Sequence, residues 1–306
     1  MKLLITGVAG FIGAKVAEAA LDNGYVVVGV DDLSQGYAGN VPSGCEFIKG
    51  NLIDPNFVNS LPKDCEVILH LAGQSSGEIS FDNPISDLEK NTISTLNLIK
   101  YGISNRIKKM VYASSMSVYG ATEDRPIDES YVCAPLSCYG VGKLAAENYL
   151  RIYQEQIPHT IFRMFNVYGP GQDMNNLRQG MVSIYLAHIL KNGHIPVKGG
   201  VTRFRDFIYI DDVVNIWLKS IENNDLNNQC FNLGTGVKTT VLELLQKIQG
   251  ILPDFTWEEV QNTLGDQFGI YADTKKIKNL LVNYSFTSLD AGLLKFIEWL
   301  KKNQNL

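Results

Sequence analysis

Up to residue 165 the chain alternates short runs dense in Val, Ile and Leu with longer stretches whose apolar positions recur every three to four residues. "KLLIT" (2–6), "VVVGV" (26–30), "CEFIKG" (45–50), "EVILHLA" (66–72), "KKMVYAS" (108–114) and "HTIFRMF" (159–165) have the length and β-branched content of strands. The stretches 11–23, 54–61, 84–104 and 136–156 carry the helical period. Strands that are apolar on both faces and separated by helices predict a parallel sheet covered on each side. Right-handed crossovers then make it a doubly wound, Rossmann-type α/β sheet.

Beyond 165 the rhythm changes. A loop rich in Gly, Asn and Gln (169–180) precedes a helix (181–192), and a strand–turn–strand stretch runs through "HIPVKGG" and "FRDFIYI". Further helices are expected at 211–222, 239–250 and 288–302. The pattern divides the chain into a first part, 1–165, and a smaller mixed α/β part, mainly 166–306, with a segment near 205–235 returning to the first.

Composition narrows the function. The 306 residues are 45% hydrophobic, ample for one or two domains, and the net charge of −5 comes without a basic run. Nucleic acid and anionic membrane surfaces are therefore not the expected partners. The N-terminus "MKLLITGVAGFIGAKVAEAA" imitates an export signal in apolarity, but its glycines are regularly spaced and it has no cleavage site. No apolar run reaches the ~18 residues of a spanning helix. The five cysteines (45, 65, 133, 138 and 230) show no metal-ligand spacing and read as reduced thiols of a cytoplasmic protein. The four histidines form no i, i+4 pair, so no metal is expected.

Gly7, Gly10 and Gly13 in "ITGVAGFIG" follow the first strand and open the first helix. Glycines there permit a tight turn and close backbone approach to a diphosphate at a helix N-terminus. Asp31 lies at the end of the second strand, where a carboxylate accepts from ribose hydroxyls and repels a 2′-phosphate. The cofactor expected is NAD. On the catalytic side, "YASSMSVYG" leaves the fifth strand at the carboxyl edge of the sheet, and "CYGVGK" puts Tyr139 and Lys143 four apart on one helix face. A nearby ammonium favours phenolate, so Tyr139 can move a proton while a hydride moves, with Ser115 bonded to the same substrate oxygen. Gly140 and Gly142 are costly in a helix and read as clearance beside this face; Gly142→Ser is expected to be tolerated.

The motifs "TGVAGFIG", "DDLSQG", "HLAGQ", "NTISTLNLI", "SSMSVYG", "YGVGK", "RMFNVYGPGQ", "FRDFIYIDDVV", "NLGTG" and "GDQFGIYAD" span nearly the whole chain. In this order it resembles the extended short-chain dehydrogenases/reductases acting on nucleotide sugars, most of all the UDP-glucose 4-epimerase branch. The resemblance implies Ser115, Tyr139 and Lys143 as the catalytic set. It places Phe11, Ile12, Asp31, Asp32, Leu33, Ser34, Asn51, Leu52, Leu71, Ala72, Gly73, Asn91 and Phe165 around NAD, with the three glycines, Tyr139 and Lys143. It places Asn166, Lys198, Arg205 and Asp266 on the nucleotide sugar with Ser115, and Ile270 at the hexose pocket.

The family commonly has an arginine three residues before Asp266, where this chain has Thr263, which leaves Arg205 alone of two diphosphate arginines. Gly142 stands where the family usually has Ser. Met116 and Ser117 stand where the related 4,6-dehydratases carry an Asp–Glu pair, so 4,6-elimination is not expected. The implied activity is 4-epimerisation through a transient 4-keto sugar. The alternatives are net C4 oxidation or 4-keto reduction of a UDP-, GDP- or dTDP-sugar and, in another class, a silent NAD-binding regulator. The implied assembly is a homodimer formed through 84–104 and 136–156.

Overall fold

In the computed structural model, described over residues 1–281 and 284–303, the strands and helices of the first part follow in the expected order. They are β1 (Lys2–Thr6), α1 (Phe11–Asp22), β2 (Val26–Asp31), β3 (Glu46–Lys49), α2 (Pro55–Ser60), β4 (Val67–His70), α3 (Pro84–Leu88), α4 (Ser94–Ser104), β5 (Lys109–Ser115), α5 (Cys138–Ile152) and β6 (His159–Met164). The second part holds β7 (Asn166–Tyr168), α6 (Met181–Asn192), β8 (His194–Lys198), β9 (Phe204–Arg205), β10 (Phe207–Tyr209), α7 (Ile210–Glu222), β11 (Gln229–Leu233), β12 (Thr239–Thr240), α8 (Val241–Gln249), β13 (Thr256–Val260), α9 (Lys275–Leu280) and α10 (Leu289–Asn303).

Seven strands make one sheet in the order β11-β6-β5-β4-β1-β2-β3, each neighbouring pair parallel. The two-residue period of the strands feeds two separate cores. Leu3, Ile5, Val67, Leu69 and Val111 pack on one face with Val16 and Ala17 of α1 and Val213 and Trp217 of α7. Leu4, Ile68, Met110 and Tyr112 pack on the other with Leu98 of α4 and Leu150 of α5. Burying such side chains stabilises the fold by about 1.5–3 kcal/mol each. Strand order reverses between β1 and β4, and a doubly wound sheet opens its ligand crevice at such a point.

The chain leaves this sheet after β6 and returns to it as β11, so the second part grows out of the sheet's edge. Its own pairings are short: β7 with β10, β9 with β12 and β8 with β13. Strands β11 and β13 lack a continuous apolar run in the sequence. "QCFNL" (β11) is interrupted by Asn232, and "TWEEV" (β13) is mostly exposed, so neither shows the pattern of a buried strand. Helix α5 begins two residues later than the period suggests because Ser137 caps it, accepting from the Gly140 N–H at 3.2 Å. Between α3 and α4 the helix widens into a π-helical turn, Glu89–Ile93.

Candidate active site

The turn after β1 is built around contacts that exclude side chains. Gly7 has φ +73°, and a Cβ there would lie 2.7 Å from the Ala72 amide nitrogen. A Cβ on Gly13 would lie 2.0 Å from the Gly7 carbonyl oxygen, so α1 can start this close to β1 only with glycine. Gly10 is the N-cap of α1 and offers no capping side chain, which leaves the first N–H groups of the helix available to an anion.

At the end of β2, Asp31 accepts from the Ala9 N–H (3.0 Å) and the Leu33 N–H (2.8 Å). Burial pushes its carboxyl up, and these two donors oppose the shift. A cleft of about 660 Å³ runs past Gly7, Gly10, Phe11, Ile12, Gly13, Asp31, Asp32, Ser34, Asn51, Leu52, Leu71, Ala72 and Gly73 to Tyr139 and Lys143.

Three residues expected around the cofactor do not line that cleft. Leu33 sits at φ +61° in the turn after Asp31. Asn91 is buried behind Gly73, whose Cβ would come within 2.5 Å of the Asn91 Oδ1. Phe165 is buried in a small core with Val118, Tyr119, Ile127 and Ala272. Ile270, expected at the hexose pocket, also lies in that core. It is fully buried in that core and lines neither cavity, because the chain from Phe268 to Ile270 turns Phe268 out to solvent and Ile270 inward.

The carboxyl end of β5 delivers Ser115, whose Oγ accepts from the Ser117 N–H and donates to the Ser117 Oγ, both at 3.2 Å. Helix α5 brings Tyr139 and Lys143 to the same edge, both buried. The Lys143 Nζ stands 5.0 Å from the Tyr112 ring centre and 5.8 Å from that of Tyr139. Burial pushes the Tyr139 phenol up to about 12, while the Ser115 hydroxyl pulls it down. Burial also brings the Lys143 ammonium down to about 8, against the pull of Asp87. Gly140 permits this approach: its Cβ would lie 2.6 Å from the Ser117 carbonyl oxygen.

A second cavity, about 250 Å³, adjoins Met116 and Ser117 and is lined by Asn166, Lys198, Arg203, Arg205, Thr263 and Asp266. Ser75 and Gln179 line both cavities, so the two meet there. Asp266 accepts from the Arg205 Nη2 at 2.7 Å and also from Arg203. Both guanidinium groups donate to the Gln267 carbonyl as well, at 3.1 and 2.7 Å. A second buried arginine therefore does stand at this end. It lies on strand β9's approach rather than at 263, and the signal for it was the spacing of two from Arg205, which puts both on one face of an extended chain. Arg178, from the 169–180 loop, pairs with Glu78 (3.0 Å) and Asp82 (2.7 Å). Lys198 pairs with Glu78 at 3.2 Å. Among the described residues no cluster of metal-ligating side chains occurs.

A glycine turn at the switch point of a doubly wound sheet, with Ser115, Tyr139 and Lys143 gathered at the adjoining strand end, makes the molecule an extended short-chain dehydrogenase/reductase. The chain belongs to the NAD dependent epimerase/dehydratase family, whose model matches residues 3–234. It is 33% identical to the UDP-glucose 4-epimerase of Mycolicibacterium smegmatis, over 98% of this chain and 99% of that protein. It is 31% identical to UDP-glucuronic acid decarboxylase 1 of Danio rerio, over 98% of this chain and 73% of that protein. The solved UDP-glucose 4-epimerase of Thermotoga maritima with UDP-glucose superposes with a TM-score of 0.93 at 32% identity, covering 99% of this chain and 100% of that one.

Proposed function

We propose that the protein is an NAD-dependent nucleotide-sugar 4-epimerase. One observation carries the reading: Tyr139 and Lys143 line the nucleotide cleft, and the cavity holding Arg203 and Arg205 joins that cleft at Ser75 and Gln179. A diphosphate-linked sugar anchored by the arginines can then reach the phenol.

The residues of the cleft fit NAD. Gly7, Gly10 and Gly13 leave the backbone bare for its diphosphate, Asp31 suits the adenosine ribose, and Asn51 and Leu52 flank the adenine end. NAD bound there supplies a reversible hydride acceptor. Tyr139 takes the proton of the C4 hydroxyl as phenolate and later returns it, while the Ser115 Oγ holds the same oxygen. Lys143 favours the phenolate through its charge. Arg203 and Arg205 keep the diphosphate anchored while the 4-keto sugar turns its other face to the cleft, which makes the reaction an epimerisation without net redox change. Met116 and Ser117 at this end provide no carboxylate for elimination.

The second reading starts from the same C4 oxidation. A UDP-glucuronic acid decarboxylase is nearly as similar to this chain as the epimerases, and a 4-keto uronic acid loses CO2 readily. Incubating the purified protein with UDP-, GDP- and dTDP-sugars and UDP-glucuronic acid, without added cofactor and with NMR detection, separates the two. A C4 epimer supports the first reading, a pentose the second, and a released 4-keto or reduced sugar points to a net oxidase or reductase. No turnover despite bound NAD overturns the catalytic assignment. Ile85, Leu88, Val141 and Ile152 are exposed apolar residues of the packed helices α3 and α5, which supports a homodimer through that face. The five free cysteines suit a reducing cytoplasm, and no described helix is long and apolar enough to cross a membrane.

A further inference from the structure

Lys143 is charged at a place where the fold opposes charge. It is buried on α5, which packs on α3 and the π-helical turn, and two acceptors on those elements have no donor among the described residues: Asp87 Oδ2 and Asn91 Oδ1. A single point, the Cβ position of Gly73, lies 2.5 Å from the Asn91 Oδ1 and 3.3 Å from the Lys143 Nζ. The Cβ position of Gly142 lies 3.4 Å from the Asp87 Oδ2. The other oxygen of Asp87 is held in place, accepting from the Gln74 Nε2 (2.8 Å) and the Asn91 Nδ2 (3.2 Å). A buried carboxylate with one oxygen fixed and the other bare is unfavourable by itself and calls for a nearby cation.

The groups facing Lys143 from each neighbouring element limit the candidates. From β4, His70 is bonded to the Thr6 and Thr95 hydroxyls and held neutral by burial, which brings it down to about 3. From β5, Tyr112 is a buried phenol pushed up by desolvation. On α5 itself, Tyr139 is the reacting phenol, and Glu147 is already paired with Arg163 at 2.7 Å and Arg151 at 3.1 Å. In the π-helical turn Glu89 is half-buried and the Lys90 Nζ reaches the Ser34 Oγ at 3.4 Å. Asp87 on α3 remains, a carboxylate beyond ion-pair distance whose charge opposes the effect of burial on Lys143.

We propose that Asp87 is a positioning residue of the reaction: its buried carboxylate is the counter-charge that keeps Lys143 an ammonium beside Tyr139. Glycine at 142 contributes by leaving the Asp87 Oδ2 free of a competing hydroxyl. The inference rests on Tyr139 and Lys143 being the acid–base pair, but not on the sugar. Removing the carboxylate lets Lys143 lose its proton at lower pH, and a neutral amine no longer favours the phenolate.

The test uses the full-length, NAD-loaded protein without sugar, labelled with 13C at the lysine ε-carbon. The Lys143 resonance is assigned by its loss in Lys143→Arg. In Asp87→Asn its titration midpoint should fall by about one pH unit, the low end of the effect of one nearby charge. Asp87→Glu should keep it within about half a unit of wild type. An unchanged midpoint in folded Asp87→Asn overturns the proposal. Should Asp87→Asn not fold, the reciprocal measurement decides, because coupling between two sites is mutual. Lys143→Met should raise the Asp87 carboxyl midpoint by the same amount, read from aspartate 13Cγ, and no change there also overturns it. These titrations need no turnover, so they fail or succeed independently of the sugar assay.

Discussion

Gly13 stands so close to Gly7 that a Cβ on the one would lie 2.0 Å from the carbonyl oxygen of the other. No rotamer relieves such a contact, since the backbone fixes the Cβ and the oxygen belongs to the main chain. Gly13→Ala should cost about 3 kcal/mol of stability. It should also release NAD, because α1 can no longer begin against β1. Denaturant melts and the cofactor content of the purified variant measure the two effects; unaltered NAD content would contradict the role given to this turn.

Tyr139→Phe removes only the phenolic oxygen from a buried ring. Turnover should drop by about 10²–10⁴-fold, while bound NAD, read by its absorbance after denaturation, stays at the wild-type level. A variant that turns over sugar near the wild-type rate would show that another group moves the proton.

The rate should fall as pH rises past about 8, because burial brings Lys143 down to that value. Below it the ammonium is present and the phenolate is favoured; above it the charge is lost, well before an exposed lysine would titrate. Stability should move the opposite way. Between about 8 and the ordinary lysine value the unfolded chain binds more protons than the native one, so this group makes the fold more stable as pH rises. Rate profiles, and the difference in denaturation between wild type and Lys143→Met across that window, check both signs.

Arg203→Met should raise KM by about 10–100-fold, the loss of a charge-assisted hydrogen bond, with a smaller effect on kcat. Adding Thr263→Arg should recover part of that loss if the two positions serve the same diphosphate. Steady-state kinetics on the sugar found active in the NMR panel gives the answer, and equal KM values in wild type and Arg203→Met would remove Arg203 from the site.

Gly142→Ser should fold. The new Cβ would be tight against the Asn91 Cβ at 3.2 Å, but the hydroxyl could donate to the Asp87 Oδ2, 3.4 Å from that Cβ. The bond gained is worth about 1 kcal/mol, so the melting temperature should stay within a few degrees of wild type. A collapse in stability would mean that the bare backbone is itself required.

The sheet was legible because its strands are buried on both faces and so read as apolar runs; β1 matches its expected bounds, Lys2–Thr6. The glycine turn and Asp31 were legible for a different reason, since backbone geometry leaves few residue types there. What the chain hides is tertiary. Whether Ile270 faces sugar or core depends on the direction of one loop residue, and it faces Val118 and Tyr119. Arg203 attracted no notice because its meaning depends on Asp266, 63 positions away. The widened helical turn at Glu89–Ile93, which follows Asp87, is announced by no residue type.

Among the described residues strand β13 pairs with β8 alone, and the outer row of main-chain groups on such a strand is a template for another chain. Its sequence "TWEEV" carries two glutamates, Glu258 beside the His194 ring of β8 at 3.4 Å and Glu259 accepting from the Val201 N–H at 2.9 Å. The same two glutamates that obscure this strand in the sequence thus tie it to the β8 end of the chain, and charge on an edge strand disfavours pairing with a second copy.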